Sequence, residues 1–167
     1  EGIDDLKLSI INLSQRVPIR EDRGIFRMHI DRAFSMKGHG TIVTGTVHSG
    51  EIKINDSVEI LPSNQKSRIR SLQSHGQIVQ SVSIGDRAAI NLHGINLTEI
   101  QRGYQLADPG YLLSVNQVGV RINLLKTAIR VIKQNQRIRI HLGTQEVMAR
   151  IALTSSKTIN PGASAAA

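Results

Sequence analysis

The chain contains no cysteine and no tryptophan, and only two tyrosines and two phenylalanines occur among its 167 residues. The absence of cysteine excludes disulfides, thiolate metal sites and cysteine nucleophiles. The scarcity of aromatic rings argues against the binding of single-stranded nucleic acid by base stacking. Hydrophobic residues still make up 40% of the chain. A core built from Ile, Val and Leu is therefore expected, in one large domain or two small ones.

Long apolar runs and a basic leader are also missing. No apolar run reaches the roughly 18 residues that span a bilayer. Acidic residues, Glu1, Asp4 and Asp5, stand where a signal peptide would carry positive charge. We therefore expect a cytoplasmic protein without a membrane partner.

Positive charge is concentrated at one end of the chain. The net charge is +8, made up of −1 over residues 1–23, +2 over residues 24–108 and +7 over residues 109–167. Such a field raises encounter rates with polyanions and supports salt-sensitive phosphate contacts. Composition alone leaves two interpretations open, a nucleic-acid surface and a merely soluble basic surface.

Residues 1–23 predict a short helix followed by a linker. Apolar residues recur at helical spacings of four and three: Leu6, Ile10 and Leu13. The pattern predicts an amphipathic helix over Gly2 to Gln15, which ends before Pro18. A helix of this length is marginal alone, so we expect it to pack on a part of the protein that precedes it. Pro18 to Arg23 predicts an extended linker.

Residues 24–108 alternate with a period of two between turn signals. The first strand alternates through Phe26, Met28 and Ile30 up to a break at Gly38-His39-Gly40, and the next begins at Thr41. Further strands are predicted over residues 41–47, 51–54, 57–60, 67–72 and 87–92. Asn55-Asp56 predicts a hairpin between residues 51–54 and 57–60. Many short strands without helical periodicity indicate a closed β-barrel.

Residues 109–167 predict a second antiparallel β unit. Alternation begins at Val118, recurs over residues 138–142 and returns over residues 147–153. Three or four strands do not close a barrel, so the unit is expected to be partial and the chain a piece of a longer protein. The Ala-rich end, residues 163–167, has no pattern of its own and is interpreted as foreign to the domain.

Motifs for catalysis, nucleotides and metals are not found. Gly40 to Thr46 echoes a phosphate loop but lacks its Lys, and its β-branched residues favour a strand. The six histidines have no ligand-pair spacing, and no nucleophile elbow is present. We expect no enzyme activity, no nucleotide and no metal site in this chain.

Two rows of cations alternate along predicted strands, so each row shares one face of its sheet. The first row comprises Lys66, Arg68 and Arg70, and the second comprises Arg137, Arg139 and His141. Either row alone is compatible with an ordinary solvated face. The lopsided charge favours a phosphate-contacting surface in the last third of the chain.

Asp31 and Arg32 form an adjacent acid–base pair between apolar residues. Neighbouring residues on a strand face opposite ways, so both side chains reach solvent only where a strand ends. A local explanation remains open, in which Asp31 caps a turn and Arg32 makes a surface ion pair.

Two stretches carry a family resemblance, IDRAFSMKG over residues 30–38 and GTIVTGTV over residues 40–47. They resemble the second domain of elongation factors of the Tu-like translational GTPase family, as does Arg102-Gly103. Asp31-Arg32 before Phe34 is similar to the selenocysteine-specific translation elongation factor. Further similarity covers RIRSLQSH over residues 68–75, GDRAAINL over residues 85–92 and HLGTQEVMAR over residues 141–150.

The resemblance implies an all-β fold of two antiparallel β-barrel modules of translation-factor type, the second truncated, preceded by a short helix. Residues 1–23 would be the last helix of a missing GTP-binding domain plus a linker, residues 24–108 domain II and residues 109–167 part of domain III. The implied function is binding of selenocysteinyl-tRNA for GTP-dependent delivery to the ribosome. GTP and Mg²⁺ would belong to the missing domain, and recognition of the selenoprotein mRNA hairpin to missing C-terminal domains.

The resemblance also implies site residues. Asp31, Arg32 and Arg87 match the family's pocket for the selenocysteine side chain. Two guanidinium groups suit a selenolate anion, and Asp31 could orient Arg32. The candidates for tRNA backbone contacts are Arg121, Arg137, Arg139, His141 and Arg150. Two alternatives stay open: barrels of another translational GTPase without selenocysteine preference, and a protein-interaction barrel that binds no RNA.

Overall fold

The structure is a computed structural model, and it describes residues 2–17, 22–38 and 40–167. Most of the predicted linker and the turn residue His39 lie outside these residues. The described elements are one helix, one short 3-10 helix (Leu97–Glu99) and sixteen strands. In chain order they are α1 (Ile3–Ser14), β1 (Arg27–His29), β2 (Arg32–Met36), β3 (Gly40–Ser49), β4 (Glu51–Lys53), β5 (Ser57–Leu61), β6 (Gln65–Ser74), β7 (Gln77–Val79), β8 (Ser81–Ser83), β9 (Arg87–Leu92), β10 (Gln105–Ala107), β11 (Arg121–Asn123), β12 (Ile132–Lys133), β13 (Arg137–Leu142), β14 (Gln145–Arg150), β15 (Thr158–Ile159) and β16 (Ser164–Ala166).

The helix α1 occupies the span that its apolar spacing predicts, with Asp4 and Asp5 in its first turn. None of its residues is buried, and the side chains of Leu6, Ile10 and Leu13 are all more than half exposed. Its apolar side chains therefore remain open to solvent in this chain. Among the described residues, no helix has the length and apolar character needed to cross a membrane.

Six antiparallel strands close into a barrel in the order β1-β10-β5-β6-β9-β3, and pairing of β3 with β1 completes the ring. β2 and β7 pair with β3 and β6 outside this ring. The predicted closed barrel is confirmed. Its core is built almost entirely from aliphatic side chains: Phe26, Met28, Ile30, Val43, Val47, Ile52, Val58, Ile60, Ile69, Leu72, Val82, Ala88, Ile90, Leu92, Ile100 and Leu106.

Gly45 permits the closure of the ring at the crossing of β1 and β3. A Cβ atom on Gly45 would lie 2.1 Å from the carbonyl oxygen of His29 and 2.8 Å from Cγ of Met28. Glycine in a strand commonly marks such a close approach of a second backbone. The Thr-Gly step in this segment is thus a requirement of barrel closure.

The predicted hairpin between residues 51–54 and 57–60 is wrong. β4 pairs with β8, whereas β5 pairs with β6 and β10. A type I′ hairpin turn requires positive φ at both central residues, but only Asn55 has it, with φ 75°. The Asp56 carboxylate accepts a hydrogen bond from the Lys53 amide at 2.8 Å, which closes a tight turn and directs the two strands to different partners.

The first predicted strand is interrupted. β1 ends at His29 and β2 begins at Arg32, so the strand is broken at Ile30-Asp31, although both parts pair with β3. The predicted strands over residues 41–47, 67–72 and 87–92 are confirmed as parts of β3, β6 and β9. Gly40 to Thr46 is therefore a strand and not a phosphate loop.

After β10 the chain forms three separate two-stranded antiparallel ladders, β11–β16, β12–β15 and β13–β14. They enclose a small cluster of three buried residues, Ile151, Leu153 and Ile159. The expectation that the Ala-rich end has no structural role is wrong, because β16 pairs with β11 and places Ala165 opposite Ile122. Backbone hydrogen bonds of 2.8 and 2.9 Å between Val120 and Ala167 extend this ladder, and they need no side-chain pattern.

Candidate functional site

Asp31 lies in the break between β1 and β2 and forms hydrogen bonds with two other strands. Its amide donates to the Thr44 carbonyl at 2.9 Å, and the Thr44 hydroxyl donates to its Oδ1 at 2.7 Å. Its Oδ2 accepts a hydrogen bond from Nη1 of Arg87 in an ion pair. Because Arg87 opens β9 on the opposite edge of β3, the Asp31 side chain connects three strands.

The Asp31 carboxyl has a lowered pKa. Burial acts to raise that pKa, but the hydrogen bonds from Arg87 and Thr44 and the charges of Arg87 and Arg32 outweigh it. Asp31 is therefore ionised at neutral pH and holds Arg87 in place.

Arg32 and Arg87 lie on one outer face of the sheet. Arg32 is opposite Thr44, and Arg87 is opposite Thr46, two residues further along β3. Both arginines line a shallow cleft of about 310 Å³ with Phe34, Gln73 and His75 among its other lining residues. The structure thus brings the three residues of the predicted side-chain pocket together.

The expected pairing inside this group needs correction. Asp31 pairs with Arg87, whereas Arg32 forms no hydrogen bond or ion pair with the described residues. The local explanation, in which Arg32 makes a surface ion pair, is wrong for the same reason. The break at Ile30-Asp31 leaves the carboxylate in contact with Thr44 of β3 and Arg87 of β9, while Arg32 begins β2 and stays exposed.

A second cleft of about 550 Å³ lies on the other side of the Asp31–Arg87 pair, and His29 and His48 are among its lining residues. Their rings are 6.1 Å apart and nearly perpendicular. Burial foremost, and then the charges of His48 and Arg27, lower the pKa of His29. Its Nδ1 is buried and has no hydrogen-bond partner among the described residues.

The turn between β13 and β14 packs against this cleft. Gly143 has φ +58°, and a Cβ atom there would lie 2.3 Å from Nδ1 of His29. The Thr144 hydroxyl donates to the Ile30 carbonyl at 2.7 Å. The second β unit therefore contacts the barrel directly beside Asp31.

Four of the five candidate backbone-contact residues share the outer face of the β13–β14 hairpin: Arg137, Arg139, His141 and Arg150. Arg137 lies directly opposite Arg150. Glu146 places a negative charge beside Arg139 and His141. Its carboxylate is 3.0 Å from Nε of Arg139 and 3.9 Å from Nδ1 of His141. Arg121 is not part of this group, because β11 pairs with β16.

Sequence reasoning missed the two threonines of β3 that support the site. Thr44 binds Asp31, and the Thr46 hydroxyl is 3.5 Å from Nη1 of Arg87. The signal was available in the turn at Gly38, because a hairpin centred there places Thr44 opposite Arg32. Among the described residues, no group of three or more His, Asp or Glu side chains is placed to hold a metal ion.

Comparison with known proteins first defines the class. Residues 40–107 match the family model of elongation factor Tu domain 2, and they include β3 to β10 of the barrel. The barrel is thus of translation-factor type.

Relatives that match nearly the whole chain include selenocysteine-specific elongation factors. A selenocysteine-specific elongation factor from Desulfomicrobium baculatum is 34% identical over 98% of this chain and 26% of its own length. One from Methanocaldococcus jannaschii is 32% identical over 96% of this chain and 34% of its own length. A crystal structure of a bacterial selenocysteine-specific elongation factor superposes with a TM-score of 0.78 at 27% identity, covering 99% of this chain and 26% of that chain.

Residues 40–107 belong to the elongation factor Tu domain 2 family, and selenocysteine-specific elongation factors are among the relatives of the whole chain. The chain spans about a quarter to a third of the length of these curated relatives.

Proposed function

We propose that this chain binds selenocysteinyl-tRNA and distinguishes its side chain through Asp31, Arg32 and Arg87. The observation that carries the proposal is the shared cleft of Arg32 and Arg87 beside an ionised Asp31. One carboxylate and two guanidinium groups leave a net charge of +1. A selenol is largely ionised near neutral pH and balances that charge, whereas the hydroxyl of serine does not.

The size of this preference follows from charge and exposure. At 4 Å and an effective dielectric constant of 20, a charge pair is worth about 4 kcal/mol. Arg32 is exposed and the Arg87 side chain is 49% exposed, so solvent screens much of that energy. A remaining 1–2 kcal/mol, roughly, would favour selenocysteinyl-tRNA over seryl-tRNA by about 5- to 30-fold.

The rest of the function rests on the family. We propose residues 1–23 as the last helix of a GTP-binding domain with its linker, residues 24–108 as domain II and residues 109–167 as part of domain III. GTP, Mg²⁺ and the hydrolysis step belong to the GTP-binding domain, and this chain contributes no catalysis. The proposal also includes a cytoplasmic location and delivery of the tRNA to the ribosome. Further domains would recognise a selenoprotein mRNA hairpin. The tRNA backbone contacts Arg121 and the outer face of the β13–β14 hairpin.

The decisive experiment compares one tRNA charged with selenocysteine or with serine. Arg32→Ala and Arg87→Ala should each weaken binding of selenocysteinyl-tRNA about tenfold and leave seryl-tRNA nearly unchanged, because only the anion loses its partner. Lys53→Ala, which removes an exposed cation on β4, is the matched control and should change neither affinity. Equal losses for both tRNAs would reduce Arg32 and Arg87 to general phosphate contacts.

A further inference from the structure

The cleft of about 310 Å³ beside Arg32 and Arg87 presents charged and polar groups but no soft ligand for selenium. Its other polar lining side chains are a hydroxyl, an amide and an imidazole, from Thr44, Gln73 and His75. Among the described residues, none that line the cleft is a methionine, and the chain contains no cysteine. Polarisable sulfur groups, which favour contacts with other soft atoms, are thus missing from its lining.

The cleft is also too open to measure the size of a side chain. Phe34 is 40% exposed, and the Arg87 side chain is 49% exposed. Even a closed apolar pocket distinguishes one methylene group by only about 10- to 200-fold, and sulfur and selenium differ in size by less than a methylene group. A shallow cleft therefore does not separate a cysteine from a selenocysteine side chain by shape.

Charge is the property that remains for recognition. Arg87 is paired with Asp31, whereas Arg32 forms no hydrogen bond or ion pair with the described residues. The guanidinium charge of Arg32 is therefore available to an anion. A selenolate or thiolate is a single charged atom, so it does not need the planar fork with which arginine holds a carboxylate or phosphate.

We propose that this cleft recognises any compact anionic side chain, so that the thiolate form of cysteinyl-tRNA binds as well as selenocysteinyl-tRNA. The inference rests on the proposed function and adds the class of side chain that the same site accepts. A neutral thiol binds like the hydroxyl of serine, because neither balances the charge of Arg32. Rejection of cysteine is then set by the acidity of its side chain, not by a contact with the protein.

This inference makes the discrimination against cysteine depend on pH. A cysteine thiol in ordinary surroundings has a pKa of about 8.5, so about 3% of it is ionised at pH 7 and about three quarters at pH 9. With the 5- to 30-fold preference for an anion estimated above, roughly, the affinity for cysteinyl-tRNA should rise by about 4- to 12-fold between these two pH values. The affinities for selenocysteinyl- and seryl-tRNA should keep their ratio.

The test measures the affinity of the chain for one tRNA carrying selenocysteine, cysteine, serine or aspartate, at pH 7 and pH 9. Amide-linked analogues, which survive alkaline pH, and reducing conditions are used throughout. Both arginines stay charged over this range, and Asp31 is ionised. Histidine changes charge between about pH 5 and 8, so any contribution of His75 appears with the aspartyl side chain, an anion at both pH values. Seryl-tRNA reports effects of the amino group that all four share.

Two substitutions of Arg32 separate charge from geometry. Arg32→Gln should abolish the rise in affinity for cysteinyl-tRNA, whereas Arg32→Lys, which keeps the positive charge without the fork, should restore it. Lys53→Ala on β4 is the control and should leave the rise unchanged. Circular dichroism checks the fold of each variant, and because Arg32 is exposed, its substitution leaves the core intact.

Three results would count against the inference. If selenocysteinyl-tRNA is preferred at pH 7 but cysteinyl-tRNA still binds like seryl-tRNA at pH 9, the cleft recognises selenium or size, and only this inference fails. If Arg32→Lys behaves like Arg32→Gln, the fork geometry is recognised and charge alone is insufficient. If the unaltered chain binds selenocysteinyl- and seryl-tRNA equally at pH 7, the proposed function fails and this inference fails with it.

Discussion

Asp31 combines a structural and an electrostatic role at the scale of single residues. Its carboxylate accepts hydrogen bonds from Thr44 and Arg87, and its pKa is lowered. A carboxyl with a lowered folded-state pKa contributes stability above its unfolded pKa and loses it as pH falls through the folded value. Asp31 therefore stabilises the break between β1 and β2 at neutral pH.

Asp31→Asn should destabilise the chain by about 1 kcal/mol at pH 7, because a partly exposed ion pair with good hydrogen bonds is lost. The difference from the unaltered chain should fade as pH drops below the ordinary carboxyl pKa of 3.8. Urea unfolding at pH 7 and below pH 3.8 measures both quantities. A destabilisation that persists unchanged in acid would mean that the amide disturbs packing and that the charge is irrelevant.

Thr44→Val should raise the pKa of Asp31 towards its ordinary value, because one hydrogen bond to the carboxylate is removed at nearly constant volume. Thr46→Val is the matched control on the same strand, since its hydroxyl contacts Arg87 and not Asp31. Titration of the Asp31 carboxyl by NMR distinguishes them. Equal shifts in both variants would contradict the assigned hydrogen bond.

The residue scale also shows what a sequence can predict of the site. Asp31, Arg32 and Arg87 were identifiable by resemblance to a family, because adjacent charges between apolar residues match a motif. Which arginine Asp31 holds was not predictable, since the answer depends on the break between β1 and β2 at Ile30-Asp31, which alternation alone does not reveal. The support from Thr44 requires knowledge of the register between β2 and β3.

At the scale of elements, alternation located strands well and their partners poorly. β6 follows from a period-two pattern with one buried and one exposed face. β3 and β9 also contain consecutive buried residues, so their apolar content and the turn signals beside them located them as well. The predicted hairpin of β4 and β5 was wrong. The conformation of Asp56 and the pairing of β4 with β8 and of β5 with β10 cannot be predicted from the local sequence. β16 was missed because Ser164–Ala166 has no strand pattern of its own, although it pairs with β11 through the backbone and through a hydrogen bond from the Ser164 hydroxyl to Oδ1 of Asn123.

The contact between His29 and the turn of β13 and β14 predicts how stability depends on pH. Below the ordinary histidine pKa of 6.5 the unfolded chain binds more protons than the folded one, because burial lowers the pKa of His29. Stability should therefore fall as pH drops from 7.5 to 5.5. His29→Leu should shrink that fall, as followed by thermal unfolding at both pH values.

Gly143→Ala is the companion variant for the same contact. Its methyl group would meet the His29 ring, and its φ of +58° disfavours any side chain. The variant should thus lose stability equally at both pH values. If the stability of the His29→Leu variant depended on pH as strongly as that of the unaltered chain, the titrating group would not be His29.

At the scale of the whole molecule, the chain consists of two parts with very different cores. Sixteen buried residues fill the closed barrel, whereas three form the cluster of the second β unit. α1 buries none of its side chains. Because apolar burial is the main stabilising term, the barrel should be the last part to open.

Hydrogen exchange on the native chain tests this division with two matched variants, each of which shortens one buried side chain. Ile90 and Ile159 are 0% and 1% exposed, one in each core. Ile90→Ala should cost about 2–5 kcal/mol and speed exchange throughout β3, β6 and β9, because it opens a cavity in the closed ring. Ile159→Ala should speed exchange only in β11 to β16, since the barrel keeps its own core and contacts that unit at Gly143, Thr144 and Gln145. If Ile159→Ala deprotected the barrel as strongly as Ile90→Ala does, the two parts would be one cooperative unit, and the positioning of Asp31 would depend on the second unit as a whole.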